Sequence, residues 1–149
     1  MPSCDHPAAR AWQSFVRAKA QVRRAVHRDL RERGLTGSQF EFMRVLADSG
    51  TAGVKLHEVS QKLFVTSGNV TGLIDRLEEA GYLARVAHPE DRRITLAMLT
   101  PAGRELYEQL QPAYLGRITR VMSTLTVEEQ VLLAGLLERV ADQAAEMDD

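Results

Sequence analysis

Between residues 54 and 99 the apolar period of this chain changes from about 3.6 residues to 2, and few folds accommodate that change in so short a span. Leu56, Val59 and Leu63 predict a short helix over 56–63, and Phe64-Val65 a tight connection. Val70, Leu73, Ile74 and Leu77 predict a second helix over 67–80, ended by Gly81. The runs 82–87 and 94–99 then alternate as strands do, joined by His88-Pro89-Glu90-Asp91-Arg92-Arg93. Two helices at a tight turn, followed by a hairpin, make a winged helix-turn-helix.

Helices flank this centre. Trp12, Phe15, Val22, Val26 and Leu30 recur at helical spacing and predict one unbroken helix over 8–33, with Gly34 past its end. Thr36 and Gln39 have the spacing of a capping box for a helix over 38–49, with Phe42, Val45 and Leu46 inward. Thr51-Ala52-Gly53 reads as a loop. Thr100-Pro101 starts a helix to about residue 123, which Pro112 should bend. Thr126 and Glu129 cap a last helix with Val127, Val131, Ala134, Leu137, Ala141 and Ala144 on its apolar face. The expected class is therefore mainly α with a small β-hairpin wing. A winged helix-turn-helix over 36–99 joins a helical dimerisation domain formed by 1–35 and 100–149 together. The apolar faces of the first and last helices are longer than so small a domain can cover. A symmetry mate would remove them from water at about 25 cal/mol per Å².

Of the 149 residues, 26% are charged and 44% hydrophobic, a globular composition. There is no apolar run of membrane-spanning length, no signal-peptide start, and a single cysteine, Cys4. These features predict a cytoplasmic protein with no membrane partner. The net charge of −1 is unevenly spread: residues 1–33 carry eight Lys/Arg against three Asp/Glu, and 100–149 carry four against nine. Residues 54–99 carry six of each, so any nucleic-acid surface must come from local placement of charge.

If the stripe Val70–Leu77 points inward, Gly68, Thr71, Gly72 and Asp75 lie on the opposite face of the helix over 67–80. Thr66 caps that helix, and Ser67 and Asn69 flank its N-terminal end, where free N–H groups and the helix dipole favour phosphate. Small hydroxyl residues and glycines allow close approach to base edges in a major groove. An ordinary amphipathic helix reads the same from this stretch alone. The hairpin tip tilts the balance, because Asp91-Arg92-Arg93 puts two guanidinium groups on a loop, one tethered and one free to enter a minor groove.

The run from Leu63 through Gly81-Tyr82-Leu83 resembles the recognition helix of the MarR family of bacterial regulators. The run Arg85…Asp91-Arg92-Arg93…Leu99-Thr100-Pro101-Ala102-Gly103 resembles its wing signature, an Asp-x-Arg followed by Leu-Thr-x-x-Gly. The resemblance covers nearly the whole chain. It implies a homodimer on double-stranded DNA at a pseudo-palindromic operator, with repression relieved by a small-molecule effector or an oxidant. By position it implies that Arg92 enters the minor groove and that Arg93 pairs with Asp91 to hold the wing. Arg76 and Arg85 would sit near the DNA backbone or brace the wing. Ser60 stands where many members have Ala. The resemblance also suggests an effector pocket lined by Trp12, Phe15, Phe40, Met43 and His57, although each of the four apolar residues also suits a core.

Two alternatives remain at this level. Cys4 is a candidate redox sensor, although no aromatic residues surround it in sequence. A winged helix can also bind protein and never touch DNA. His6, His27, His57 and His88 lack ligand spacing, so no metal site is expected, and nothing calls for a cofactor. No phosphate loop, nucleophile elbow or metal-binding helix motif points to an enzyme.

Overall fold

A computed structural model of the chain describes residues 6–59 and 67–147. Helices α1 (Pro7–Val26), α2 (Arg28–Glu32) and α3 (Gly37–Asp48) are followed by strand β1 (Val54–Lys55) and a 3-10 turn at Leu56–Glu58. Then come α4 (Ser67–Glu79), β2 (Leu83–Ala87), β3 (Thr95–Leu99), α5 (Pro101–Met122) and α6 (Val127–Met147). By its internal contacts the chain divides between Tyr114 and Leu115 into two compact units. The expected positions Cys4, Ser60, Leu63 and Thr66 lie outside the described residues.

The first unit holds the core. Phe40, Phe42, Met43 and Leu46 of α3 pack with Val70, Leu73, Ile74 and Leu77 of α4, Leu83 of β2, Ala97 of β3, and Leu106 and Leu110 of α5. The inward stripe expected on α4 is the buried one. On α3 the expectation shifts. Phe40 and Met43 are fully buried, whereas Val45 is only half-buried against the cluster. Phe40 stands 5.3 Å from the Tyr107 ring and 4.6 Å from Tyr114, between centroids. The two α5 tyrosines thus draw α3 inward along its Phe40 side.

The helix expected over 8–33 is interrupted at His27. No proline or glycine within the helix itself causes this. The His27 ring stacks on Tyr114 at 6.0 Å and lies over Gly37, where an added Cβ would come within 1.9 Å of His27 Cε1. Bare backbone at position 37 makes room for the ring. Burial, then Arg23, lowers the imidazole pKa, so the neutral ring is the seated form. The Tyr114 hydroxyl donates to Glu41 Oε1 at 2.6 Å, and its pKa is pushed well up by burial and then by that bond.

The expected hairpin is a three-stranded antiparallel sheet of order β1-β3-β2. Val54 pairs with Ala97 and Lys55 with Leu96, so a two-residue strand closes the free edge of β3. Arg85 pairs with Ala97 at the centre of the β2–β3 ladder. The capping box of Thr36 and Gln39 forms, with Gln39 N donating to Thr36 Oγ1 at 3.2 Å and Thr36 N donating to Gln39 Oε1 at 2.7 Å.

In the second unit α6 opens with the reciprocal capping of Thr126 and Glu129 and contains no buried residue. Val131 is 69% exposed, and Leu132, Leu136, Val140 and Met147 are also open to solvent. In the first unit the outer half of α1 has the same character, with Trp12 63% exposed and Phe15 and Val16 beside it. No helix among the described residues is long and apolar enough to cross a membrane.

Candidate nucleic-acid interface

The wing is anchored at its root by one threonine. Thr100 Oγ1 donates to the Gly81 carbonyl at 2.6 Å, and Thr100 N donates to the Tyr82 carbonyl at 3.1 Å. The same Oγ1 accepts from Gly103 N at 3.1 Å and so caps α5. End of sheet, start of α5 and the turn after α4 are thereby joined at one residue. Gly103 permits this, because a Cβ there would stand 2.0 Å from the Tyr82 carbonyl oxygen.

The tip is held by one carboxylate. Asp91 Oδ1 accepts from Arg93 N and Arg93 Nε, and Asp91 Oδ2 accepts from Arg93 Nη2, each at 3.0 Å. These bonds, side chain first and then backbone, keep the Asp91 carboxyl below the usual carboxylate range. His88 N donates to the Ile94 carbonyl at 2.9 Å and closes the loop. Arg93 is thus committed to its neighbour. Arg92 is exposed, and it has no hydrogen-bond or ion-pair partner among the described residues. The tip therefore presents one guanidinium ready for an outside acceptor.

Ser67, Gly68 and Asn69 form the first turn of α4. Further along, Thr71 and Arg76 are exposed opposite the buried stripe, and Gly72 lies between them. Gly72 is mid-helix, where glycine costs about 1 kcal/mol relative to alanine. Among the described residues a Cβ at this position would meet nothing within 4 Å. The sequence thus places a costly residue where no described neighbour fills the space.

Arg85 does not reach out. Its Nη1 donates to Glu78 and its Nη2 to Asp75, both on α4. The sequence alone leaves open whether it lies near a DNA backbone or braces the wing, and does not single out Glu78 as a partner. The signal was available in the spacing of Asp75 and Glu78, three residues apart on one side of a helix that β2 follows.

Phe40 and Met43 have no surface accessible even to water, and so none for a ligand to touch. They are core residues of the single chain. Trp12 and Phe15 stay exposed on α1 with ring centroids 5.9 Å apart, and His57 is exposed beside Glu58. Among the described residues no group of three His, Cys, Asp or Glu side chains is placed to hold a metal ion.

The sequence profile of the MarR family matches residues 33–94. The chain is 35% identical over 128 residues to the HTH-type transcriptional regulator YkoM of Bacillus subtilis, spanning 86% of this chain and 82% of that one. It is similar to Sco3205, a MarR family transcriptional regulator from Streptomyces coelicolor solved in complex with DNA. There the TM-score is 0.83 and the identity 25%, over 90% of this chain and 88% of the other. It is also similar to BpsR of Bordetella bronchiseptica, whose DNA binding is regulated by 6-hydroxynicotinic acid. That match has a TM-score of 0.81 and 26% identity, over 95% of this chain and 97% of the other.

Proposed function

This chain belongs to the MarR family of DNA-binding transcriptional regulators, and from that premise we propose a homodimeric repressor that holds a pseudo-palindromic operator and releases it to a small aromatic acid. The observation that carries the DNA half is the pairing at the wing tip: Asp91 occupies Arg93 and leaves Arg92 exposed without a partner among the described residues. Each subunit sets residues 67–72 into a major groove, where Ser67, Asn69 and Thr71 meet base edges or phosphates and Gly68 and Gly72 let the helix sink. Arg76 lies toward the flanking backbone. Arg92 enters the adjacent minor groove, where a narrow channel focuses negative potential. The two half-sites lie about one helical turn apart.

Arg92→Ala is expected to weaken operator binding roughly ten- to hundredfold, with dimer and melting temperature unchanged. A gel shift against the gene's own promoter region reads the first, and sedimentation with thermal melting reads the others. Wild-type affinity in the variant would remove the wing from the interface. Gly72→Ala makes a paired test with opposite signs: it should stabilise the fold by about 1 kcal/mol and weaken the operator complex about tenfold. A stabilised variant that binds as before would mean that the open space is not used by DNA.

For the effector, support comes from BpsR, which responds to a pyridine carboxylic acid, and from the exposed aromatic pair Trp12 and Phe15 on α1. Binding there would change the separation of the two recognition helices and so the fit to DNA. Adding 6-hydroxynicotinic or benzoic acids to the same gel shift should dissociate the complex. Persistence of the complex at millimolar acid would remove this class of effector.

A further inference from the structure

Asp75 follows Thr71 by four residues and Gly72 by three, so it stands one turn further along the face of α4 that carries them. Glu78 is three residues beyond Asp75. Two carboxylates at this place would confront the DNA backbone once the helix tip entered a groove, and like charges there oppose binding. Arg85 rises from the centre of β2 and occupies both: Nη1 with Glu78, Nη2 with Asp75. Its side chain is less exposed than either partner, at 31% against 48% and 38%. Both ends of the planar fork are used, unlike Arg92, which has no such partner among the described residues.

We infer that Arg85 is a positioning residue rather than a phosphate contact: it draws Asp75 and Glu78 toward the wing and offsets one of their two negative charges where α4 approaches DNA. The inference rests on the DNA-binding reading above and assigns to one arginine a task that operates through two acids. It also accounts for how a segment with equal numbers of acidic and basic residues offers a surface tolerable to phosphate. Residues 54–99 carry six cations and six anions; with Arg85 held against Asp75 and Glu78, five cations and four anions stand outside that cluster.

Four proteins test it: the wild type, Arg85→Met, the pair Asp75→Asn with Glu78→Gln, and all three changes together. Methionine keeps the apolar stem against the sheet. Arg85→Met should weaken operator binding about tenfold. The paired neutral change alone should stay within about threefold of wild type, and the triple variant should return to within about threefold as well. Melting temperatures of all four record a role in wing stability separately, since that role would change binding only in step with the fold. Three results would overturn the inference. One is a triple variant as weak as Arg85→Met. Another is a paired variant as weak as Arg85→Met, which would mean that the acids aim Arg85 at phosphate. The third is wild-type affinity in Arg85→Met. If the wild type binds no duplex at low salt, the DNA reading itself falls, and the control shows that before any variant is compared.

Discussion

Gly103→Ala is expected to cost about 2–3 kcal/mol of folding stability, lowering Tm by roughly 5–10 °C in a chain of this size. The added methyl would sit 2.0 Å from the Tyr82 carbonyl oxygen and 2.8 Å from its carbon, backbone atoms with no rotamer to yield. Relief therefore requires α5 to lift from the turn after α4. That lift would stretch the bonds Thr100 makes to Gly81 and Tyr82 and loosen Leu106 and Tyr107 from the core. Gly116 in the same helix is the control, since among the described residues a Cβ there meets nothing within 4 Å. Gly116→Ala should stabilise by about 0.5–1 kcal/mol through helix propensity alone. Urea unfolding at one fixed protein concentration compares the pair, because in the proposed dimer apparent stability would depend on concentration. Equal midpoints for the two variants would refute the close approach at Gly103. Because the wing root is built on the same contact, Gly103→Ala should also weaken operator binding.

The parts of this fold that were legible in sequence are those set by local period and local capping. Val70, Leu73, Ile74 and Leu77 announce their buried face by spacing alone, and Thr36 with Gln39 and Thr126 with Glu129 announce their helix starts. What could not be read depends on residues distant in the chain. The interruption at His27 comes from Tyr114 and Gly37, neither of them near in sequence, and α1 carries no breaker of its own. Strand β1 has two residues, too few to show a period of 2, and exists because β3 offers it an edge. Phe40 and Met43 suit a pocket wall or a core equally well until Tyr107 and Tyr114 close over α3. At the interface, the sequence shows two arginines after Asp91 but not which one the aspartate keeps. The three bonds from Arg93 decide that. Arg85 could be placed beside DNA or beside the wing until both carboxylate partners were seen on α4.

Leu136→Glu with Val140→Glu is expected to turn a dimer into a monomer at micromolar concentration. The two residues lie one turn apart on α6, a 21-residue helix with no buried residue in the single chain. An amphipathic helix draws most of its stability from packing its apolar face, so a free chain that leaves Leu132, Leu136, Val140 and Met147 open lacks the contact that would hold α6. In the proposed dimer a second copy covers that face, and isologous pairing places each new glutamate at the interface twice. An unpaired charge in an apolar interface costs several kcal/mol. Four such groups exceed what a dimer of ordinary micromolar to nanomolar affinity can absorb, about 8 to 12 kcal/mol in all. Operator affinity should fall about 100-fold or more with it, because a second half-site bound through the dimer is an intramolecular event worth that factor. Two readouts keep the causes apart. Sedimentation measures the dimer, and melting of the core built on α3, α4 and the sheet reports whether the winged unit still folds. A monomer with an intact winged unit and weak half-site binding is the expected result. A double variant that still sediments as a dimer would place the subunit contact elsewhere, and a wild type that sediments as a monomer would leave α6 without the partner that its exposed leucines and valines require.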